Sequence, residues 1–338
     1  MTRTLGKSPV AVTTLGFGAA SIGNLYREVD DDRAARTVHA AWAAGIRYFD
    51  TAPHYGIGLS ERRLGRALAG YARDGYAIST KVGRILVEQP DAAGSDLDNG
   101  FAVPATHKRV WDFSADGVNR SLHASLERLG TERVDIVLLH DPDEGPDPAR
   151  ALDEAYPALD ELRRQGVVGA IGLGSKDPAI LAQFATDSDV DTLMVAGRYT
   201  LLEQPALDDI LPACQRRGIS VLNVGVFNSG ILAVEWPDAS RPYEYGAAPE
   251  AIVRRAQAIA TKCREHGVTL PRAALAFAGA HPAVASVVIG AGKPEHVERS
   301  AQWQSEPLPP NELWTDLIDA GLLRPDAPLP PAPNREVR

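Results

Sequence analysis

Cysteine is nearly absent. Cys214 and Cys263 are the only two in 338 residues, too few for a disulfide framework or a cysteine-rich zinc site. They read as small buried side chains in a reducing compartment, and no metal is expected. A basic excess is absent as well. The chain has 35 Lys and Arg against 44 Asp and Glu, a formal net charge of −9. That balance excludes nucleic acid and anionic membrane as main partners, since both need a basic footprint. No run reaches the ~18 apolar residues of a membrane span. The opening Met1–Val10 also lacks the apolar centre of a signal peptide. The expectation is a cytoplasmic protein, monomer or homodimer, acting on a small molecule.

What is present is a globular composition, 44% hydrophobic and 23% charged. Short β-branched or apolar runs alternate with longer Ala-, Leu- and Glu-rich stretches. Strands are read at Val12–Phe17, Tyr48–Thr51, Ala77–Val82, Val134–His140, Ala170–Gly174, Thr192–Val195, Ser220–Val224 and Ala285–Ile289. Helices are read at Asp32–Ala44, Leu59–Tyr71, Ala115–Leu129, Ala151–Gln165, Ala179–Ala185, Pro205–Arg217 and within Pro249–Ala280. Eight such units predict an α/β fold, a closed (β/α)8 TIM barrel over residues 1–320 with an N-terminal β-hairpin around Gly6–Pro9. Ser60-Glu61 and Ser114 mark helix starts; Gly45, Gly130, Gly166 and Gly218 mark ends. Gly16-x-Gly18 and Gly172-x-Gly174 complete no dinucleotide fingerprint and read as close backbone packing. Two long segments, 83–113 and 227–247, follow strand C-termini, the face where barrel active sites assemble, and read as lids. Residues 321–338 are Pro-rich and read as an extended tail.

Three neighbouring strands end in functional side chains: Asp50, Lys81 and His140. Adjacent strands lie ~4.8 Å apart, so the three tips share one rim, and Tyr55 follows in the turn after Asp50. Singly, each has a bland explanation; together they form an acid/base set. Tyrosine alone is too weak an acid to yield much phenolate at neutral pH. A cationic lysine in contact is expected to lower that pKa, at roughly 3 to 4 kcal/mol, with Asp50 orienting the lysine. His140 would hydrogen-bond the oxygen of the reacting carbon. This set suits interconversion of an alcohol and a carbonyl, which needs a hydride carrier.

Gly45–Gly56 with its Phe-Asp-Thr-Ala…Tyr-Gly element, Ser60–Gly65, Ser79–Val82 and Leu138–His140 resemble the signatures of the aldo-keto reductases. The resemblance runs from about Arg3 to Trp303 and implies a barrel that binds NAD(P), with Tyr55 as general acid/base, Lys81 and Asp50 tuning it, and His140 orienting substrate. Gly23–Val29, His54, His140-Asp-Pro-Asp143 and Gly225–Leu232 resemble the branch of D-threo-aldose (L-fucose) 1-dehydrogenases, L-galactose dehydrogenases and pyridoxal 4-dehydrogenases. The resemblance implies oxidation of a monosaccharide hemiacetal to its aldonolactone.

It further implies cofactor contacts at Gly18, Ala19, Asp50, Ser175, Lys176, Phe227, Ser229, Gly230, Leu232, Gly290, Gly292, Lys293, His296 and Ser300. Substrate contacts are expected at His54, Tyr55, Trp111 and His140; Trp111 and Phe113 read equally as sugar-lining residues or as core plugs. Departures from the family pattern are Gly174-Ser175-Lys176 in place of Ser-Asn, no glutamine around Ala196-Gly197, and no stacking tyrosine near Gly225, which leaves Phe227. His296 stands where NADPH-selective members often carry arginine, so NAD preference over NADP is expected, although Lys293 and Arg299 add positive charge. The alternatives are a pyridoxal dehydrogenase or general aldehyde/ketone reductase of the same family, a Schiff-base aldolase using Lys81, or a non-enzymatic nucleotide-binding subunit. Asp50 argues against the aldolase by keeping the lysine protonated.

Overall fold

A computed structural model describes residues 1–90 and 93–331. Its strands, in chain order, are β1 (Thr2–Thr4), β2 (Ala11–Thr13), β3 (Leu15–Gly18), β4 (Tyr48–Asp50), β5 (Ala77–Val82), β6 (Arg84–Glu88) and β7 (His107–Trp111). β8 (Ile136–His140), β9 (Ala170–Ser175), β10 (Thr192–Ala196), β11 (Ser220–Val224), β12 (Pro242–Tyr243), β13 (Gly246–Ala247) and β14 (Val284–Gly290) complete the set. Eight of them close a parallel barrel in the order β3-β4-β5-β8-β9-β10-β11-β14. β5 and β8 are buried along their whole length, as strands covered on both faces must be, which explains their near-continuous apolar runs.

The barrel interior is filled by Tyr48, Ile136, Leu138, Met194 and Leu222, and it is stoppered by Leu5 and Val12 of the β1–β2 hairpin. The expected strand Val12–Phe17 therefore divides: Ala11–Thr13 pairs with β1, while Leu15–Gly18 joins the barrel. Gly172 shows why a small residue stands in the wall, because a Cβ there would come within 2.0 Å of the Thr192 carbonyl oxygen.

Helices α1 (Asp31–Ala43), α2 (Leu59–Leu68), α3 (Ala115–Leu129), α4 (Tyr156–Arg164), α5 (Pro178–Asp187) and α6 (Ile210–Arg217) follow the first six barrel strands. The region Pro249–Ala280 is two helices, α7 (Glu250–Glu265) and α8 (Leu270–Ala278). α9 (Pro294–Ser305) and α10 (Asn311–Asp319) were not anticipated from the sequence. Asp30 and Ser114 cap α1 and α3 through the amides of Arg33 and Gly117, and Gly130 and Gly218 end α3 and α6 in the left-handed conformation.

Ser60 is not a cap. It lies inside α2, fully buried, donating to the Ala19 carbonyl at 2.8 Å, while buried Glu61 accepts from Thr80 Oγ1 and Arg128 Nε. Both side chains tie α2 to the barrel rim.

The segment 83–113 is largely ordered structure, an antiparallel β6–β7 hairpin with Arg84 opposite Trp111; residues 91 and 92 lie outside the described residues. The segment 227–247 ends in the small β12–β13 hairpin. Over 321–331 the tail is non-helical. It is nevertheless strapped down: Leu323 and Ala327 are buried, Arg255 donates to the Leu322 carbonyl, and Tyr199 OH to that of Pro328. Residues 332–338 lie outside the described residues. Cys214 and Cys263 are buried, and burial pushes both thiols up to about 12. Among the described residues no helix is long and apolar enough to cross a membrane, and no three potential ligands gather as a metal site.

Candidate active site

Asp50, Lys81 and His140 sit at the C-terminal ends of β4, β5 and β8, and the turn after β4 returns Tyr55 over the same rim. That turn depends on Gly56 (φ +61°), where a Cβ would fall 2.1 Å from the Gly23 carbonyl oxygen. Lys81 Nζ donates to both Asp50 oxygens at 2.9 and 2.8 Å, to the Thr51 carbonyl at 3.0 Å and to Tyr55 OH at 3.1 Å. Ser79 Oγ adds a donor to Asp50 Oδ1 at 2.7 Å. The His140 ring stands edge-on to the Tyr55 ring, centroids 5.6 Å apart.

The electrostatics differ from the sequence expectation in one respect. The Tyr55 phenol is held well above its ordinary pKa, first by burial and then by the Asp50 and Asp141 carboxylates, with Arg84 opposing. The expected acidification by Lys81 does not prevail, because Asp50 engages the ammonium through both oxygens and cancels much of its field. Tyr55 rests as a protonated donor.

His140 is neutral: burial, followed by the charges of Arg84 and Lys81, depresses its pKa well below the usual range. Burial and Arg109 push His54 down to about 2. Arg109 Nε donates to His54 Nδ1 at 2.5 Å, and a guanidinium cannot accept, so the His54 proton resides on Nε2. Arg109 is itself gripped by buried Asp96 through two contacts of 2.7 and 2.6 Å. The β6–β7 hairpin thus sets the tautomer of a residue 55 positions away. Long-range nitrogen-correlated NMR should show both rings neutral at pH 5.5, and a charged His54 at that pH would contradict this arrangement.

Tyr55, Lys81, His140 and His54 line a cavity of about 520 Å³ with Arg84, Phe101, Asp141, Glu144 and Tyr245. A contiguous chamber of about 300 Å³ shares Tyr55 and Lys176 and is lined by Gly18, Asp50, Phe227, Ser229, Gly230 and Gly290. Ser175 lines the first cavity, but its hydroxyl already donates to Asp143.

Several expected contacts lie elsewhere. Ala19 and Leu232 are fully buried and line neither space. Trp111 is covered by Arg84, whose guanidinium carbon lies 4.4 Å from its ring, and it packs on Phe113, so of the two readings the core plug fits its place. Gly292, Lys293, His296 and Ser300 are grouped around the start of α9, beyond the two chambers; Ser300 Oγ donates to the His296 carbonyl. Arg84, Phe101, Arg109, Asp141 and Tyr245 were missed by sequence reasoning. Only Asp141 left a signal, as a carboxylate directly after the strand-end His140.

A dinucleotide suits these residues. Oδ1 of buried Asn228, in the wall of the second chamber, has no hydrogen-bond partner among the described residues. Arg27, Lys293 and Arg299 act on His296, and none forms a salt bridge among the described residues. Unpaired cations beside the start of a helix suit a phosphate.

Comparison with known proteins agrees with this geometry. The sequence profile of the aldo/keto reductase family matches residues 14–315. A D-threo-aldose 1-dehydrogenase from a Pseudomonas species is 46% identical over 316 residues, 93% of this chain and 95% of the relative. A pyridoxal 4-dehydrogenase from Microbacterium luteolum is 36% identical, covering 95% and 97%. Among solved structures, a holo-form aldo-keto reductase from Bacillus halodurans superposes with a TM-score of 0.72 at 25% identity, covering 99% of this chain and 98% of its own.

Proposed function

This chain belongs to the aldo/keto reductase family of oxidoreductases, and from that premise we propose that it oxidises the hemiacetal carbon of a monosaccharide, of the L-fucose or D-threo-aldose type, to the aldonolactone. The observation that carries the reading is Tyr55 OH, 3.1 Å from Lys81 Nζ, at the floor of a cavity whose other walls carry His54, Arg84, Asp141 and Glu144. Such a lining suits a substrate rich in hydroxyls. Bound NAD(P)+ supplies the hydride acceptor. In its phenolate form Tyr55 takes the C1 hydroxyl proton as the C1–H bond breaks, Lys81 and Asp50 hold that oxygen in place, and neutral His140 donates to the substrate oxygen.

Because Tyr55 rests protonated, oxidation is expected to accelerate with pH, with kcat rising about tenfold per unit through the alkaline range. A plateau below pH 8 would restore the acidified phenol expected from the sequence. Reduction in the reverse direction should stay flat over the same range, since the protonated phenol that it uses prevails throughout.

We also propose NAD as the preferred cofactor, with NADP accepted. His296 is held neutral at pH 7 by burial and by Lys293 and Arg27, and a neutral ring contributes little to a 2′-phosphate. His296→Arg should raise kcat/KM for NADP by roughly tenfold, consistent with one charge-assisted contact. Unchanged NADP kinetics would remove His296 from the selectivity.

The two buried free thiols suit a reducing, cytoplasmic setting for a monomer or homodimer. NAD and NADP reduction should be followed with L-fucose, D-arabinose, L-galactose, L-xylose and pyridoxal. An aldose with the highest kcat/KM supports the reading; pyridoxal ahead of every sugar, or no sugar turned over, overturns it.

A further inference from the structure

We propose that Asp141 is the specificity-determining residue of the site, its carboxylate accepting hydrogen bonds from neighbouring hydroxyls of the sugar. The inference rests on the aldose reading above. Asp141 follows His140 at the end of β8, with its side chain about a quarter exposed (26%) in the substrate cavity. Oδ2 accepts from Arg84 Nη2 at 2.8 Å and lies 3.4 Å from His140 Nε2, whereas Oδ1 accepts nothing from the described residues. The free oxygen shares its carbon with the oxygen held beside the imidazole that addresses the reacting centre.

The carboxylate is held rigidly. Arg84 also donates to Glu144 Oε2 at 3.0 Å and to the His140 carbonyl, and it rests on Trp111, so it has little freedom to swing away. The backbone of Asp141 occupies the left-handed region (φ 41°, ψ 56°), uncommon outside glycine, and its amide donates to the Gly174 carbonyl at 2.8 Å. His54 lines the same cavity with its Nε2 proton fixed by Arg109, which sets a donor alongside this acceptor. Together they match hydroxyl groups, which both donate and accept. A substrate without hydroxyls would bury the carboxylate with nothing in place of water, the arrangement that discriminates most strongly.

Burial and the nearby Glu144 and Asp143 carboxylates raise Asp141 to about 6, against Arg84 and Lys81; neutral His140, Tyr55 and Tyr245 complete its surroundings. Above that pH the group is an acceptor only. Below it the group is protonated, so KM for the sugar should rise as pH falls from 7.5 to 5.5.

The test compares wild type and Asp141→Asn, which tolerates the same backbone conformation, on L-fucose, its 2-, 3- and 4-deoxy analogues, and butanal, with NADH binding as a check on folding. Wild type should lose roughly 10- to 100-fold in kcat/KM on at least one deoxy analogue. In Asp141→Asn that loss should fall on L-fucose itself, leaving parent and analogue alike, and the low-pH rise in KM should vanish. The ratio of L-fucose oxidation to butanal reduction should fall at least tenfold. If the variant keeps the wild-type ranking of analogues, or loses L-fucose and butanal in parallel, Asp141 does not read hydroxyls. A wild type that oxidises none of the sugars overturns the aldose reading itself, and this inference with it.

Discussion

Tyr55→Phe should lower kcat by roughly three to four orders of magnitude while leaving the affinity for NAD almost unchanged. The substitution removes one oxygen atom, and among the described residues that oxygen has a single hydrogen-bond partner, Lys81 Nζ at 3.1 Å. The ring keeps its edge-on contact with His140 and its neighbour Phe101, so the cavity keeps its shape. What vanishes is the atom that exchanges a proton with the substrate oxygen while hydride moves. Water in its place would lack the fixed position that lets Lys81 and the phenol act together. The measurement is single-turnover hydride transfer alongside cofactor titration by protein fluorescence. Turnover within tenfold of wild type would mean that another group carries the proton, and His140 would then be the first candidate. A large loss of NAD affinity would instead show that the phenol serves the chamber lined by Phe227 and Gly290.

The part of this site legible in the sequence is the part written locally. Asp50, Lys81 and His140 each end a short apolar run, and adjacent parallel strands place such ends on one rim, although the barrel's stagger sets each tip two residues beyond its neighbour, with Asp50 opposite Ser79 and Lys81 opposite Leu138. Tyr55 was legible because a turn of five residues leaves it few places to go. The electrostatics were not. Whether Lys81 acidifies Tyr55 depends on how completely Asp50 engages the ammonium and on how deeply the ring is covered, and both are properties of packing.

The same distinction separates Ser60 from Ser114. Both read as marks of helix starts, yet Ser114 caps α3 while Ser60 is buried against Ala19, a partner 41 positions earlier that no local pattern announces. Segment 83–113 reads as a lid because it is polar and follows a strand end. Its function as a hairpin that fixes His54 emerges only when Arg109 meets a residue on another loop. The place of Trp111 is open in the sequence for a related reason: aromatic character marks a surface for a sugar or a core plug equally well, and the Arg84 guanidinium over its ring favours the plug.

The second large effect concerns stability. Lys81 and Asp50 are 2% and 5% exposed as side chains, an ion pair almost wholly withdrawn from water. Lys81→Met, similar in volume, removes the ammonium and leaves a buried carboxylate with Ser79 as its remaining side-chain donor. Breaking one side of such a pair costs about 3–5 kcal/mol, so the variant should melt well below wild type. Removing the charge from both sides is different, because an uncharged, well-packed pair carries no desolvation penalty. The double variant Lys81→Met with Asp50→Asn should therefore recover most of the lost stability, to within about 1–2 kcal/mol of wild type. It should not recover activity, since nothing then donates to Tyr55 OH, and kcat should stay down by at least roughly a hundredfold. Denaturant unfolding of the wild type, both single variants and the double variant gives the coupling energy, and steady-state kinetics on the same four proteins gives the catalytic side. If Lys81→Met is as stable as wild type, the pair is not desolvated as the structure places it. A double variant no more stable than the two single losses combined would show that the lysine supports the rim by packing rather than by charge.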